Sequence, residues 1–225
     1  MNLYPVTIVD NFYDNPEAIR KFALNQKYKF RHEETDNLNY VYPGSRTKDI
    51  FDLDKILQEK VLKKLISVFH IPEHDYMQWA ISTSFQSVSE KYKQGVIHTD
   101  NNTIFAGVIY LTPNAPLNSG TSIYRTNSSF TQEKYRMASE KNDERFKAGE
   151  IIMDTAFHSM FDEVVRVNNV YNTLIIFEGD IFHSANNFFG TTLQDSRLAQ
   201  VFFITKINAN KANSFPLNRT KSIAI

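Results

Sequence analysis

A chain of 225 residues with 25 basic, 25 acidic and no cysteine side chains excludes several classes of protein at the outset. Zero formal net charge gives no global pull toward nucleic acid or an anionic membrane, and the missing cysteines exclude disulfides, thiolate metal sites and cysteine nucleophiles. With 42% hydrophobic and 22% charged residues, the chain reads as one globular domain over 1–225, able to bury a core of its own.

The opening MNLYPVTIVDNFYDNPEAIRK lacks the basic start, apolar stretch and cleavage site of a signal peptide. No apolar run elsewhere reaches membrane-spanning length, so a cytoplasmic protein is expected. A short strand is predicted over 6–9, then a helix with Asn15 as cap and Pro16 at its first position. Ala18, Ile19, Phe22 and Ala23 would form its buried stripe. Residues 33–50, with the Pro43-Gly44 pair, read as a loop. Over 53–69, Ile56, Leu57, Val61, Leu62, Leu65, Ile66 and Phe69 recur at helical spacing and predict an amphipathic helix. Residues 1–76 thus form an amino-terminal region that packs on the strand-rich remainder of the chain.

From 77 to 207 the pattern changes to short runs rich in β-branched and aromatic residues: WAISTSFQSV, TIFAGVIYL, GTSIYR, EVVRV, NTLIIFEG and LAQVFFIT. Such a series predicts a sandwich or barrel. Residues 129–162 interrupt it with TQEKYRMASEKNDERFK, a polar helix or a mobile insertion. Residues 208–225 are polar and without period, a tail or a strap over the barrel.

Three separated positions carry the chemistry. His98 and Asp100 form a His-x-Asp triplet after a strand-like run, where period-two geometry puts both side chains on one face. The triplet is weak evidence alone, since a strand end with a local hydrogen bond would look the same. His183 follows the apolar run LIIF, which predicts a buried strand; the simpler alternative is a buried histidine donating to a carbonyl. Two histidines and one carboxylate on one face of an octahedral metal leave three positions open, the arrangement of non-haem iron(II) oxygenases. Arg197 begins RLAQVFFIT and, in an alternating strand, shares a face with Ala199, Val201 and Phe203. A guanidinium on an apolar inward face needs a partner, and a carboxylate fits it in a bidentate contact; a structural carboxylate would serve as well as a ligand.

In the order HTD, GVIYL, SGTSIY, NTLIIFEGDIFHSANN and DSRLAQVFF, the sequence resembles the iron(II)- and 2-oxoglutarate-dependent oxygenases, and within them the prolyl-4-hydroxylase-like branch. IVDNFYDNPEAIRKFAL and YPGSR resemble the amino-terminal region of an uncharacterised group of small bacterial and phage-type oxygenases. The resemblance implies a double-stranded β-helix, a jelly-roll or cupin-like barrel flanked by the amino-terminal helices. It implies iron(II) on His98, Asp100 and His183, and 2-oxoglutarate held by Arg197 with help from Tyr110 in GVIYL, where the simpler alternative is an aromatic core residue with its hydroxyl hydrogen-bonded at the edge. It also implies O2 as oxidant, ascorbate as a candidate reductant, and release of succinate and CO2 as a substrate is hydroxylated. A peptidyl or free amino acid is the favoured substrate, and nucleic acid is disfavoured. The longer gap from His183 to Arg197 and the 129–162 insertion depart from that branch.

The remaining histidines, His32, His70, His74 and His158, read as surface or loop residues, with His158 a rival ligand. Arg46 and Arg125 are candidate pocket-lining residues, against the simpler reading of solvated arginines. Two other functions fit the same triad: a metal-binding cupin-like enzyme that is not an oxygenase, and a binding or structural module without turnover.

Overall fold

The computed structural model describes residues 4–31, 42–68 and 77–209. In chain order the elements are β1 (Val6–Val9), α1 (Pro16–Leu24), β2 (Lys29–Phe30), β3 (Ser45–Arg46), α2 (Ile50–Leu53), α3 (Lys55–Ser67), β4 (Met77–Val88), β5 (Phe105–Tyr110), β6 (Thr121–Thr126), α4 (Gln132–Lys147), β7 (Phe161–Val167), β8 (Leu174–Glu178), β9 (His183–Ala185) and β10 (Arg197–Ala209). The fold is mainly β, in two sheets whose pairings are all antiparallel. Among the described residues, seven strands run in the order β1-β8-β5-β10-β4-β3-β2, and three in the order β7-β6-β9. Among the described residues, no helix is long and apolar enough to cross a membrane.

The two helical readings hold in part. Asn15 caps α1 by accepting from the Ala18 N–H at 3.1 Å, with Pro16 at the first position. The buried stripe is narrower than expected, because Ala18 is exposed while Ile19, Phe22 and Ala23 meet the core. The single helix expected over 53–69 is two, α2 and α3, separated at Asp54. The extended backbone of Asp54 breaks the first helix, and its carboxylate accepts from the Ile56 and Leu57 N–H groups to start the second. That restart turns Ile56 outward, 68% exposed, while Leu57, Val61, Leu65 and Val68 form the inward stripe. Phe69, His32, His70, His74 and most of the carboxyl-terminal stretch lie outside the described residues. So does much of the predicted loop, but its far end forms β3 and begins α2.

Strand alternation separates two layers of core. Phe105, Ile109, Leu174, Ile176, Leu198, Phe202 and Ile204 pack with Phe12, Ala23, Val61 and Leu65, so α1 and α3 cover one face of the larger sheet. The opposite face presents Ala106, Tyr110, Ile175 and Phe177 to Ile123 of β6 and Val167 of β7. The space between the sheets is therefore lined from both sides, and the inward side chains of β5, β8, β9 and β10 open into it. The segment expected to be a polar helix or a mobile insertion contains α4, capped by the Thr131 hydroxyl accepting from the Lys134 N–H. It docks through a third cluster in which Phe130, Tyr135 and Ala138 meet Ile97, Phe157, Met160, Phe161 and Phe182.

Candidate functional site

His98 and His183 come together through the backbone. The two residues form an isolated antiparallel bridge, each N–H donating to the other's carbonyl at 3.0 and 2.9 Å. Antiparallel partners present their side chains to the same face, and the two rings lie 4.4 Å apart between centroids. At the start of β9 the extended backbone sends Phe182, just before the strand, into the aromatic cluster of the insertion and His183 against Phe177 of β8, at 4.5 Å between ring centres. Asp100 is placed by its N–H, which donates to Gly179 O at 2.8 Å, and by a tight turn in which Asn102 takes a positive φ of 60°. Asparagine tolerates that conformation better than most side chains. Gly179 has no alternative here: a Cβ would sit 2.3 Å from Thr103 O.

The donor atoms of His98, Asp100 and His183 all lie within 4.8 Å of one another. The carboxylate of Asp100 stands 3.6 Å from His98 Nε2 and 3.3 Å from His183 Nε2. Both Nδ1 atoms face backbone carbonyls two residues earlier, Val96 O at 2.8 Å and Ile181 O at 2.9 Å. A carbonyl only accepts, so each Nδ1 carries a proton; in the neutral imidazole Nε2 then turns a lone pair toward the shared space, and in the imidazolium it donates to Asp100. Burial works against a charged Asp100, but hydrogen bonds from His183 and His98 and their positive charge outweigh it and hold its carboxyl far below the ordinary range. Desolvation by the protein packed around the ring, aided by Arg46, disfavours the protonated form of His98, yet the bond to Asp100 wins and its proton affinity is raised.

The set fits a divalent transition metal. Imidazole–metal bonds of about 2.1 Å put neighbouring ligands of an octahedron about 3 Å apart, close to the two contacts with Asp100. The donors are neutral nitrogens and one anionic oxygen, with the tautomers already fixed by second bonds. Exposure is one-sided: the His98 side chain is 47% accessible and that of His183 only 7%, so approach is past His98.

Arg197 lies in the same inter-sheet space, at the start of β10. Thr112 brackets it, donating from its hydroxyl to Ser196 O at 2.7 Å and accepting from the Leu198 N–H at 2.8 Å. The Arg197 side chain is buried, its Nε donating to Ser119 O at 3.1 Å and its guanidinium carbon 5.5 Å from the centre of the Tyr110 ring. Among the described residues no carboxylate forms an ion pair with it. Burial lowers its proton affinity, an effect Tyr110 opposes. The Tyr110 hydroxyl donates to Thr121 Oγ1 at 2.9 Å, and burial raises its pKa. Thr121 is two residues along β6 from Ile123, which pairs with His183, a separation of roughly 7 Å.

Of the other nominated residues, Arg46 stacks over Tyr42 at 3.9 Å and near Phe203 at 5.4 Å, close enough to act on His98. Arg125 is exposed and pairs with Asp162 at 3.2 Å, as a solvated arginine would. His158 does not join the triad: its Nε2 accepts from the Ile97 N–H at 3.1 Å. The sequence reading did not single out Ser119, Thr112 or Thr121 around the guanidinium. The only signal for Thr121 is its place at the start of an alternating strand.

Comparison of the whole fold identifies proteins of like architecture. HygX from Streptomyces hygroscopicus, in a structure with nickel and 2-oxoglutarate bound, superposes with a TM-score of 0.53 at 10% identity, covering 89% of this chain and 82% of HygX. A prolyl hydroxylase from Trichoplax adhaerens, in complex with a peptide fragment of the hypoxia inducible factor oxygen degradation domain, gives 0.50 at 11% identity, covering 97% and 87%. The chain therefore shares its fold with 2-oxoglutarate-dependent oxygenases and sets a His-Asp-His cluster within it. By sequence it belongs to a family of unknown function, DUF6445, whose model matches residues 2–196. No curated protein matches it by sequence.

Proposed function

We propose that the protein is an iron(II)- and 2-oxoglutarate-dependent dioxygenase built as a single double-stranded β-helix domain, the two sheets forming the walls of the jelly roll. The observation that carries the reading is the pairing of two features on one inter-sheet surface. One is a facial set of two Nε2 atoms and a carboxylate; the other is a buried guanidinium with no carboxylate partner among the described residues. Neither a purely structural strand end nor a buried structural arginine accounts for both.

His98, Asp100 and His183 would hold the metal, with Asp100 as the anionic ligand and the two Nδ1–carbonyl bonds keeping the imidazoles turned toward it. Arg197 would take the distal carboxylate of 2-oxoglutarate, with the Tyr110 ring and hydroxyl fixing its orientation. The span from His183 to the Tyr110–Thr121 pair suits a five-carbon diacid lying between the sheets. Held there, iron(II) and 2-oxoglutarate would supply the oxidising power that puts one atom of O2 into a substrate hydroxyl and the other into succinate, with release of CO2. The apolar lining of Ala106, Ile175, Phe177 and Ile123 excludes water from the co-substrate side. The primary substrate enters past the exposed His98. A peptidyl or free amino acid is favoured, as for the prolyl hydroxylase with its bound peptide; a small molecule is the second reading, since HygX is also seen with hygromycin B bound.

The test is succinate formation from 2-oxoglutarate by purified protein with iron(II) and ascorbate, with pools of peptides, amino acids and aminoglycosides, beside the His98→Ala variant. Turnover in the wild type and not in the variant is expected. Absence of turnover together with absence of 2-oxoglutarate binding by calorimetry would turn the reading to a metal-binding barrel that is not an oxygenase.

A further inference from the structure

The insertion makes polar contact with the backbone around His98, first of all through His158. His158 sits on the short 3-10 turn Ala156–Met160 that leads into β7, and its Nε2 accepts the Ile97 N–H at 3.1 Å. The carbonyl of that same peptide group, Val96 O, accepts the Nδ1 proton of His98 at 2.8 Å. A continuous chain of hydrogen bonds therefore runs from the His158 ring, through one peptide group, to the ring of His98. To accept, His158 must be neutral with its proton on Nδ1. Its burial favours this, pushing its pKa down to about 4 against the pull of Asp154.

The surroundings make the contact rigid. Phe157 and Phe161 pack with Ile97, Phe130, Tyr135 and Phe182, so apolar contacts seat the turn against both residues that precede the histidines of the triad. Tyr135 of α4 also sets its hydroxyl against the Thr99 backbone. The backbone before and after His98 is thus met by side chains from the insertion.

We infer that His158 is a positioning residue for the metal site: by fixing the peptide between Val96 and Ile97, it aims the Val96 carbonyl that orients His98 and strengthens His98 as a donor. The inference rests on the proposed metal site. Partners one step removed from a ligand set its orientation and basicity, and their loss costs metal affinity. Polarisation along a hydrogen-bonded chain adds to the effect.

The experiment is a Co(II) titration of the full chain, followed by visible absorption, in wild type, His158→Leu, His158→Gln and Phe130→Leu. His158→Leu removes the acceptor and is expected to weaken Co(II) binding by about 10- to 100-fold and to alter the ligand-field bands. His158→Gln, which keeps an acceptor oxygen, recovers most of the affinity. Phe130→Leu loosens the same aromatic cluster while keeping the hydrogen-bond acceptor and is expected to cost much less Co(II) affinity than His158→Leu. Wild-type affinity and spectrum in His158→Leu would overturn the role, as would equal losses in the leucine and glutamine variants. Should His158→Leu fail to fold, long-range proton–nitrogen NMR of the wild type decides: a proton on Nδ1 with a bare Nε2 supports the chain, and a proton on Nε2 overturns it. A wild type that takes up no Co(II) refutes the metal site itself and this role with it, whereas wild-type uptake with an indifferent His158→Leu refutes the role alone.

Discussion

Replacing Arg197 with methionine separates a ligand-binding arginine from a structural one, because the two roles predict opposite signs. In the protein alone, the guanidinium hydrogen-bonds Ser119 O and Tyr110 and forms no ion pair among the described residues, although it is buried. Its removal forfeits these bonds, each about 1 kcal/mol, and Ser119 O still receives the Asn169 side-chain amide. Against that stands relief from holding a charge out of water. The net effect on folding is therefore expected to lie between zero and a gain of about 2 kcal/mol. Co-substrate binding goes the other way: truncating one partner of a buried, hydrogen-bonded charge pair costs about 2–5 kcal/mol, which is a loss of roughly 30- to 4,000-fold in Kd. Calorimetry with Mn(II) in the site gives the affinity, and thermal melts with and without 2-oxoglutarate give the linkage, worth about 2.7 kcal/mol at a hundredfold excess over Kd. An R197M variant that binds 2-oxoglutarate within a few-fold of wild type refutes the assignment. One that is strongly destabilised without ligand makes Arg197 a structural residue.

Three further expectations concern the triad. Asp100→Ala removes its only anionic donor and is expected to abolish iron(II) uptake by equilibrium dialysis; unchanged stoichiometry would sink the ligand set. The metal-free protein and the metal complex should respond oppositely to pH. The raised proton affinity of His98 means that its pairing with Asp100 stabilises the metal-free fold fully below about pH 6.5 and less as pH rises through the higher folded value. Co(II) affinity should climb over that same interval, since a ligand imidazole must be neutral; a flat affinity profile would contradict the assignment. Finally, Gly179→Ala drives a Cβ to within 2.3 Å of Thr103 O and should displace the turn that carries Asp100. The expected cost is about 1–3 kcal/mol in denaturant unfolding together with weakened Co(II) binding, and native metal affinity would show that the turn tolerates the shift.

How far the sequence could be read depended on whether each signal was local. His98 and Asp100 are two residues apart, and the apolar run before His183 and the alternation of RLAQVFF are written in consecutive residues. The inward face of β10 could therefore be assigned before its partners were known. The bridge between His98 and His183 could not, because backbone pairing across distant segments leaves no periodic trace, and β9 is only three residues long. The docking of the insertion was equally hidden: Phe130, Tyr135, Phe157 and Phe161 follow no period, and they converge only when α4 and the turn after it fold back on Phe182. Elsewhere a local signal was read too broadly. Ile56 fits the helical spacing, but Asp54 restarts the helix and turns that residue outward. Arg46 followed a turn and looked like any solvated cation; its place beside Phe203 and His98 depends on β3 joining the edge of β4.

The backbone bridge between the two histidines has a consequence for how the protein would acquire its metal. The bonds that bring His98 and His183 side by side are made by peptide groups alone, so the distance between the donors is settled by the same cooperative event that forms the sheets. Small zinc domains depend on their ion to fold, whereas here iron would arrive at a chelator assembled beforehand. Loading would then track the supply of iron in the surroundings rather than the state of the polypeptide, and the chain would keep its shape through periods of scarcity, ready to be recharged.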